Sequence, residues 1–144
     1  MRIVLDSAIL VRATEGSKGL ARELLLRITR SQHRLVLSNE VLFEVARVLR
    51  YPRLPTIHGL TDERIYDYTC FLRERSQIVI VNPLLPAPIR DINDIVVVQT
   101  AIAGNADVLC TTDSDFFDPV ILRFLSGFGI AVTDDVTLMH RLRA

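Results

Sequence analysis

The sequence has no tryptophan, a single lysine (Lys18), two cysteines and no excess of charge of either sign. Its 17 basic side chains balance its 17 acidic ones, so no global field draws the chain toward nucleic acid, and any such contact needs a local patch. Cys70 and Cys110 each adjoin an apolar run and lack C-x-x-C spacing. That pattern argues against a zinc site or a disulfide and for reduced core thiols in a cytoplasmic protein. Before Asp6 the N-terminus offers four apolar positions, which is neither a signal peptide nor a membrane span. Six glycines and six prolines leave no low-complexity linker, and no internal repeat is visible. There is no G-x-S-x-G, and His33, His58 and His140 stand at neither triad nor metal spacing, so they read as surface residues. The absence of a glycine-rich phosphate loop argues against nucleotide binding of the P-loop or Rossmann type.

What remains is a chain of 144 residues, 49% hydrophobic, sufficient for one domain (1–144) with a proper core. Its organising stretch is Asp91–Phe116, in which acids cluster at both ends of a helix–turn–strand pattern. Asp91 is a natural N-cap and Asp94 falls in the first helical turn, where the positive end of the helix dipole favours a carboxylate. A Gly104-Asn105 break follows, then an apolar run, Val108–Cys110, then Asp113 and Asp115. Taken alone, each acidic cluster reads equally as caps or as a solvated turn. A matching acid, Asp6, at the end of the first strand tips the balance, because ligands of open α/β sheets bind beyond the strand carboxyl ends.

Along the chain, Arg2–Leu5 reads as a buried strand running into Asp6. Residues 17–30 form a covering helix with Leu20, Leu24, Leu25 and Ile28 at helical spacing. Arg34–Leu37 is a second strand. Ser38-Asn39 then caps a helix over 40–50 whose buried stripe is Val41, Val45, Val48 and Leu49. Glu44 sits at the edge of that stripe, facing either a crevice or Arg47. Arg47, Arg50 and Arg53 form a basic ridge that, considered alone, reads first as an ordinary solvated face. Residues 51–60 carry Pro52, Pro55 and Gly59 and form a loop. Thr61 caps a helix to about residue 75, Ile78–Val81 is a third strand, and a proline-rich loop leads to Asp91. Phe116 and Phe117 read as core anchors. Asp118-Pro119 opens a short helix, Ile130–Val132 is the last strand, and Asp134 and Asp135 begin a terminal helix as dipole-complementing acids. Five short strands alternating with helices predict an α/β fold, a mainly parallel sheet covered on both faces.

Several of these segments, in this order, resemble the motifs of PIN-domain nucleases. They are Asp6-Ser7 at the end of the first strand and Ser38 with Glu44 six residues on. Val48-Leu49 and Tyr51-Pro52-Arg53-Leu54 come next. The last are Asp94 before an alanine-containing helix, Gly104-Asn-Ala-Asp107, and Thr111-Thr-Asp113-Ser-Asp115-Phe116. The resemblance spans nearly the whole chain and is strongest to the VapC-like toxins of toxin–antitoxin systems. It implies a three-layer α/β/α PIN-like fold, endoribonuclease activity, a cognate antitoxin protein and a homodimer. One position departs from the family: Ala8 stands where an asparagine is usual two residues after the first aspartate.

The chemistry stands beside the resemblance. Carboxylates gathered in one crevice repel one another, and one or more takes up a proton unless a cation neutralises them. Oxygen ligands without a His or Cys cluster select Mg²⁺ or Mn²⁺ over Zn²⁺. Such an ion lowers the pKa of bound water and steadies charge on a phosphate, and a pair about 4 Å apart holds both attacking and leaving oxygens. In this reading Asp6, Asp94 and Asp113 are metal ligands, and Glu44 acts through a second metal or a water. Asp115 competes with Asp113 for the inward position. Ser38 and Thr111 supply hydrogen bonds behind the ligands, unless they are plain caps. Arg47, Arg50 and Arg53 grip RNA phosphates, which makes binding salt dependent. Sixteen of the 17 basic residues are arginine, a bias that suits bidentate phosphate contacts but that genome composition produces equally. Two rivals stay open. One is a PIN module that binds RNA or a protein without cleavage, for which Ala8 speaks. The other is a phosphoacceptor receiver-like domain, which needs a late lysine that the chain lacks.

Overall fold

The computed structural model describes residues 1–51 and 60–143. Arg2–Leu5 forms β1, in which Ile3, Val4 and Leu5 are all fully buried. Burial at successive rather than alternate positions means that both faces of the strand are covered, as in the middle of a parallel sheet. β2 (Arg34–Ser38), β3 (Ser76–Val79), β4 (Val108–Cys110) and β5 (Ala131–Thr133) complete a five-stranded sheet, all parallel, in the order β3-β2-β1-β4-β5. The chain winds outward from β1 to β3, returns, and winds outward again from β4 to β5. The reversal falls between β1 and β4, where a ligand crevice is expected beyond the strand carboxyl ends. Pairing of Leu5 with Cys110, and of Cys110 with Thr133, aligns those ends, so Asp6, Thr111 and Asp134 emerge on one edge.

The helices are α1 (Ser7–Arg12), α2 (Leu20–Thr29), α3 (Asn39–Leu49), α4 (Asp62–Glu74), α5 (Ile92–Ala103), α6 (Pro119–Ser126) and α7 (Asp135–Arg143), with a 3₁₀ turn over Ser114–Phe117. α5 packs on β1 and β2, while α3 packs against α1, α4 and α5, and α2 against α7. The result is the three-layer α/β/α arrangement expected. Among the described residues, no helix is long and apolar enough to cross a membrane.

Four readings of the sequence are corrected in detail. α1 was not anticipated: a single turn and a half leaves too short a period to read. α2 begins only at Leu20, after Gly19 as its N-cap. β3 runs over Ser76–Val79 rather than Ile78–Val81, because Ile80 already projects from the sheet, 93% exposed. Phe117 is no core anchor: Phe116 fills the core and Phe117 is exposed. Of the expected loop over 51–60, residues 52–59, with Pro52, Pro55, His58 and Gly59, lie outside the described residues.

Candidate metal centre at the carboxyl edge of the sheet

Asp6 occupies the N-cap position of α1 in extended backbone, yet its side chain makes no capping bond. Its carboxylate turns instead toward β4, where Thr111 Oγ1 donates to Oδ2 at 2.8 Å. The Ser7 hydroxyl donates to Oδ1 at 3.4 Å. The Thr111 hydroxyl oxygen in turn accepts from the Asp113 backbone N–H at 3.0 Å. One buried hydroxyl thereby ties the end of β1 to the loop after β4. Burial pushes the Asp6 carboxyl above its ordinary range, against the pull of the Thr111 bond, and the charge of Asp113 adds to the rise.

Asp94 is presented by the first turn of α5, which Asp91 caps by accepting from the Asn93 N–H at 2.8 Å. Burial first, then the negative charges of Asp113, Asp6, Asp91 and Asp115, push its carboxyl up to about 7. Four other carboxylates therefore act on this one group.

Asp113 caps the 3₁₀ turn, accepting from the Asp115 N–H at 2.9 Å. The two carboxylates stand together, Asp113 half-buried and Asp115 exposed. Asp94, Asp113 and Asp115 each offer a carboxylate oxygen, all within 4.8 Å of one another. Asp6 lies outside that grouping and is coupled to it through charge. Three carboxylate oxygens at that spacing, one of them on a carboxyl that burial and neighbouring charge push up to about 7, fit a hard divalent cation and offer nothing to a soft one.

Residues 2–115 match the PIN domain. The chain belongs to the PIN-domain family. No curated protein matches it. Among solved structures it is similar to the crystal structure of VapBC2 from Rickettsia felis bound to a DNA fragment from their promoter, with a TM-score of 0.61 and 17% identity. That likeness covers 93% of this chain and 98% of the other, and at such identity it speaks for the fold.

In this PIN domain the other residues singled out from the sequence stand apart from the three-carboxylate grouping. Ser38 caps α3, accepting from the Val41 N–H at 3.3 Å, and its hydroxyl shares a 2.8 Å hydrogen bond with Thr100 on α5. Both bonds brace α3 and α5. Glu44 is held by Arg47, whose guanidinium reaches both carboxylate oxygens at 2.8 and 2.9 Å. Glu44 also lines a gap of about 30 Å³ between α3 and α5, together with Ser7 and Asn93. Ser7 belongs to the Asp6-Ser7 motif, whereas Asn93 was not singled out in the sequence although it directly adjoins Asp94. Arg47 bonds the Tyr51 hydroxyl as well, and Arg50 faces Asp62 at 3.5 Å. Arg53 lies outside the described residues. Ala8 is exposed on α1, and the bonds that fix Asp6 come from Thr111 and Ser7.

Asp134 and Asp135 serve α7. Asp134 accepts from the Thr137 N–H at 2.7 Å, which holds its carboxyl below the usual range. Asp135 lies 4.0 Å from Arg12. Both cysteines are free thiols, and burial pushes that of Cys110 up to about 12, so it stays protonated and inert.

Proposed function

We propose that this PIN domain is a metal-dependent endoribonuclease, the toxin of a toxin–antitoxin pair. The observation that carries the reading is the grouping of Asp94, Asp113 and Asp115 at the switch point of the sheet. Burial and crowding keep Asp94 from ionising freely there.

Asp94, Asp113 and Asp115 would hold Mg²⁺ or Mn²⁺, with Asp6 adjoining them as a further ligand. The ion, when bound, lowers the pKa of a water and stabilises the charge on the phosphate being attacked. The chain's own residues do the rest. Thr111 fixes Oδ2 of Asp6, while Oδ1 takes only the long 3.4 Å bond from Ser7 and keeps a lone pair for the crevice. Glu44 carries its charge to the same edge between Ser7 and Asn93, positioned by Arg47. Arg47 on α3 and Arg50 at its C-cap, with Arg53 by the resemblance, would take RNA phosphates, which makes affinity fall as salt rises.

The likeness to a VapBC assembly supports a second protein, an antitoxin, as partner, which would cover the acidic crevice; a homodimer is proposed from the family resemblance alone. Ala8 favours the alternative of binding without cleavage only if residue 8 were needed to hold Asp6. Thr111 and Ser7 already do that, so the enzyme reading is preferred.

The test uses protein free of any partner, incubated with structured and single-stranded RNA in Mg²⁺, in Mn²⁺ and in chelator. Cleavage should require the ion and fall at least a hundredfold in Asp94→Asn, the order expected for removing a group that stabilises transition-state charge. RNA retained but uncut in every metal would establish a binding module instead.

A further inference from the structure

Beside the carboxylate grouping lies a second cavity, of about 490 Å³, formed where the segment leading into α5 meets the 3₁₀ turn after β4. Its size is that of a small-ligand site. Asp115 is the wall that the cavity shares with the metal-binding grouping. The rest of its lining is chemically mixed in a particular way. Phe117 offers an aromatic ring, Ile89 an aliphatic floor, Ser114 a hydroxyl and Arg90 a guanidinium.

Two of these residues have no structural task that accounts for them. Phe117 is 38% exposed although Phe116, its neighbour, is fully buried, so the core does not use its ring. Arg90 is exposed and forms no ion pair among the described residues, while two carboxylates, Asp115 and Asp118, line the same cavity. Asp118 is already engaged, accepting from the Val120 N–H at 2.8 Å as the cap of α6. An unpaired cation and a half-exposed aromatic ring lining one cavity are the combination that single-stranded nucleic acid recognition uses: the ring stacks a base and the guanidinium takes a backbone phosphate.

We infer that this cavity is a nucleotide subsite. It holds the base and one phosphate of the RNA residue adjoining the phosphodiester at the carboxylate grouping, with Phe117 as the stacking face and Arg90 as the phosphate contact. The inference rests on the ribonuclease reading and deepens it. It places the selection of the residue next to the cut on the Arg90–Phe117 side of the crevice rather than on the ridge of Arg47 and Arg50. Stacking is sequence tolerant, so any preference among bases would come from the shape of the floor at Ile89 and from the Ser114 hydroxyl.

Because the chain has no tryptophan, Phe117→Trp places the sole indole on the cavity wall, at a position exposed enough to accept it. The four ribonucleoside 5′-monophosphates are titrated singly against this variant in chelator, with indole fluorescence as the readout. Saturable quenching is expected for at least one of them. Affinity should fall at least fivefold when Arg90→Ala is added, and by a similar factor when the nucleoside without its phosphate is used. Phe128→Trp, on the half-exposed ring after α6 and outside this cavity, should show only linear collisional quenching. Equal, unsaturable quenching at the two positions, or saturation unchanged by Arg90→Ala, would overturn the subsite. Since this readout needs neither metal nor turnover, it stands even if the chain cleaves nothing. Failure of the ribonuclease reading and failure of the subsite are thus read separately. In protein that does cleave, Arg90→Ala should raise KM severalfold with kcat held.

Discussion

Thr111 is the residue on which the acidic edge is hung. Its hydroxyl is fully used, donating to Asp6 and accepting from the Asp113 backbone, and it is completely buried. Thr111→Val keeps the shape and deletes both bonds, leaving a buried carboxylate and a backbone N–H without their partner. A loss of about 1–3 kcal/mol is expected, read as a lower denaturation midpoint at unchanged m-value. The Asp6 carboxyl should also rise further, because the bond being lost is the largest influence holding it down. Ser38, which the sequence presents as an equal hydroxyl, has a different place. Its bonds go to the α3 backbone and to Thr100, so Ser38→Ala should cost stability, about 1 kcal/mol, with no effect on the titration of Asp6.

At the scale of elements, α5 is the one that must end in the right place, since its first turn carries Asp94. It ends in a Schellman motif: Asn105 adopts a left-handed φ of 49°, the Ala106 N–H bonds the Ala101 carbonyl at 2.9 Å and the Asn105 N–H bonds the Ile102 carbonyl at 3.1 Å. Glycine adopts that conformation without a Cβ penalty, so Asn105→Gly should raise stability by about 0.5 kcal/mol. Gly104 is glycine for another reason. Its φ is ordinary, but a Cβ there would run into the side chain of buried Val36 on β2. Gly104→Ala should therefore destabilise by about 1–3 kcal/mol through overpacking. Thermal or chemical denaturation of the two single variants separates the roles, since they are expected to have opposite signs. The element that joins Asp113 to Asp115 works by capping. The Asp113 carboxylate folds over the start of the 3₁₀ turn to accept from the Asp115 N–H, which draws the two acids together.

For the whole molecule, gathering acids at one edge has a cost that depends on pH. The Asp94 carboxyl titrates near 3.8 when unfolded and about 7 when folded. Between those values the folded chain binds the extra proton, so stability of the metal-free protein falls as pH rises across that window and levels off above it. Asp6 is raised as well and acts in the same direction. Solvent in the open crevice screens part of the effect, so the loss is on the order of 1–2 kcal/mol. A divalent ion removes the repulsion, and Mg²⁺ should accordingly raise Tm more at pH 8 than at pH 5, with the gain reversed by chelator and absent in Asp94→Asn. Equal metal-induced shifts at both pH values would contradict the assignment of the ion to this edge.

By itself the sequence determined the alternation of strands and helices, the parallel sheet, the caps at Ser38, Thr61 and Asp118, and the family. These follow from local apolar period and from motifs in fixed order. It also determined that Asp6, Asp94 and Asp113 belong to one edge, because each stands where a strand ends or a helix begins. Only the tertiary structure decided how that edge is arranged. It brought Asp115 in beside Asp94 and Asp113, tied Asp6 to Thr111 across two strands, gave Glu44 to Arg47, and left the Phe117 ring outside the core. The physical reason is one of range. Propensity and capping act over a few residues, whereas the orientation of a side chain at a crevice is set by partners 100 or so positions away, as Thr111 is from Asp6 with a separation of 105.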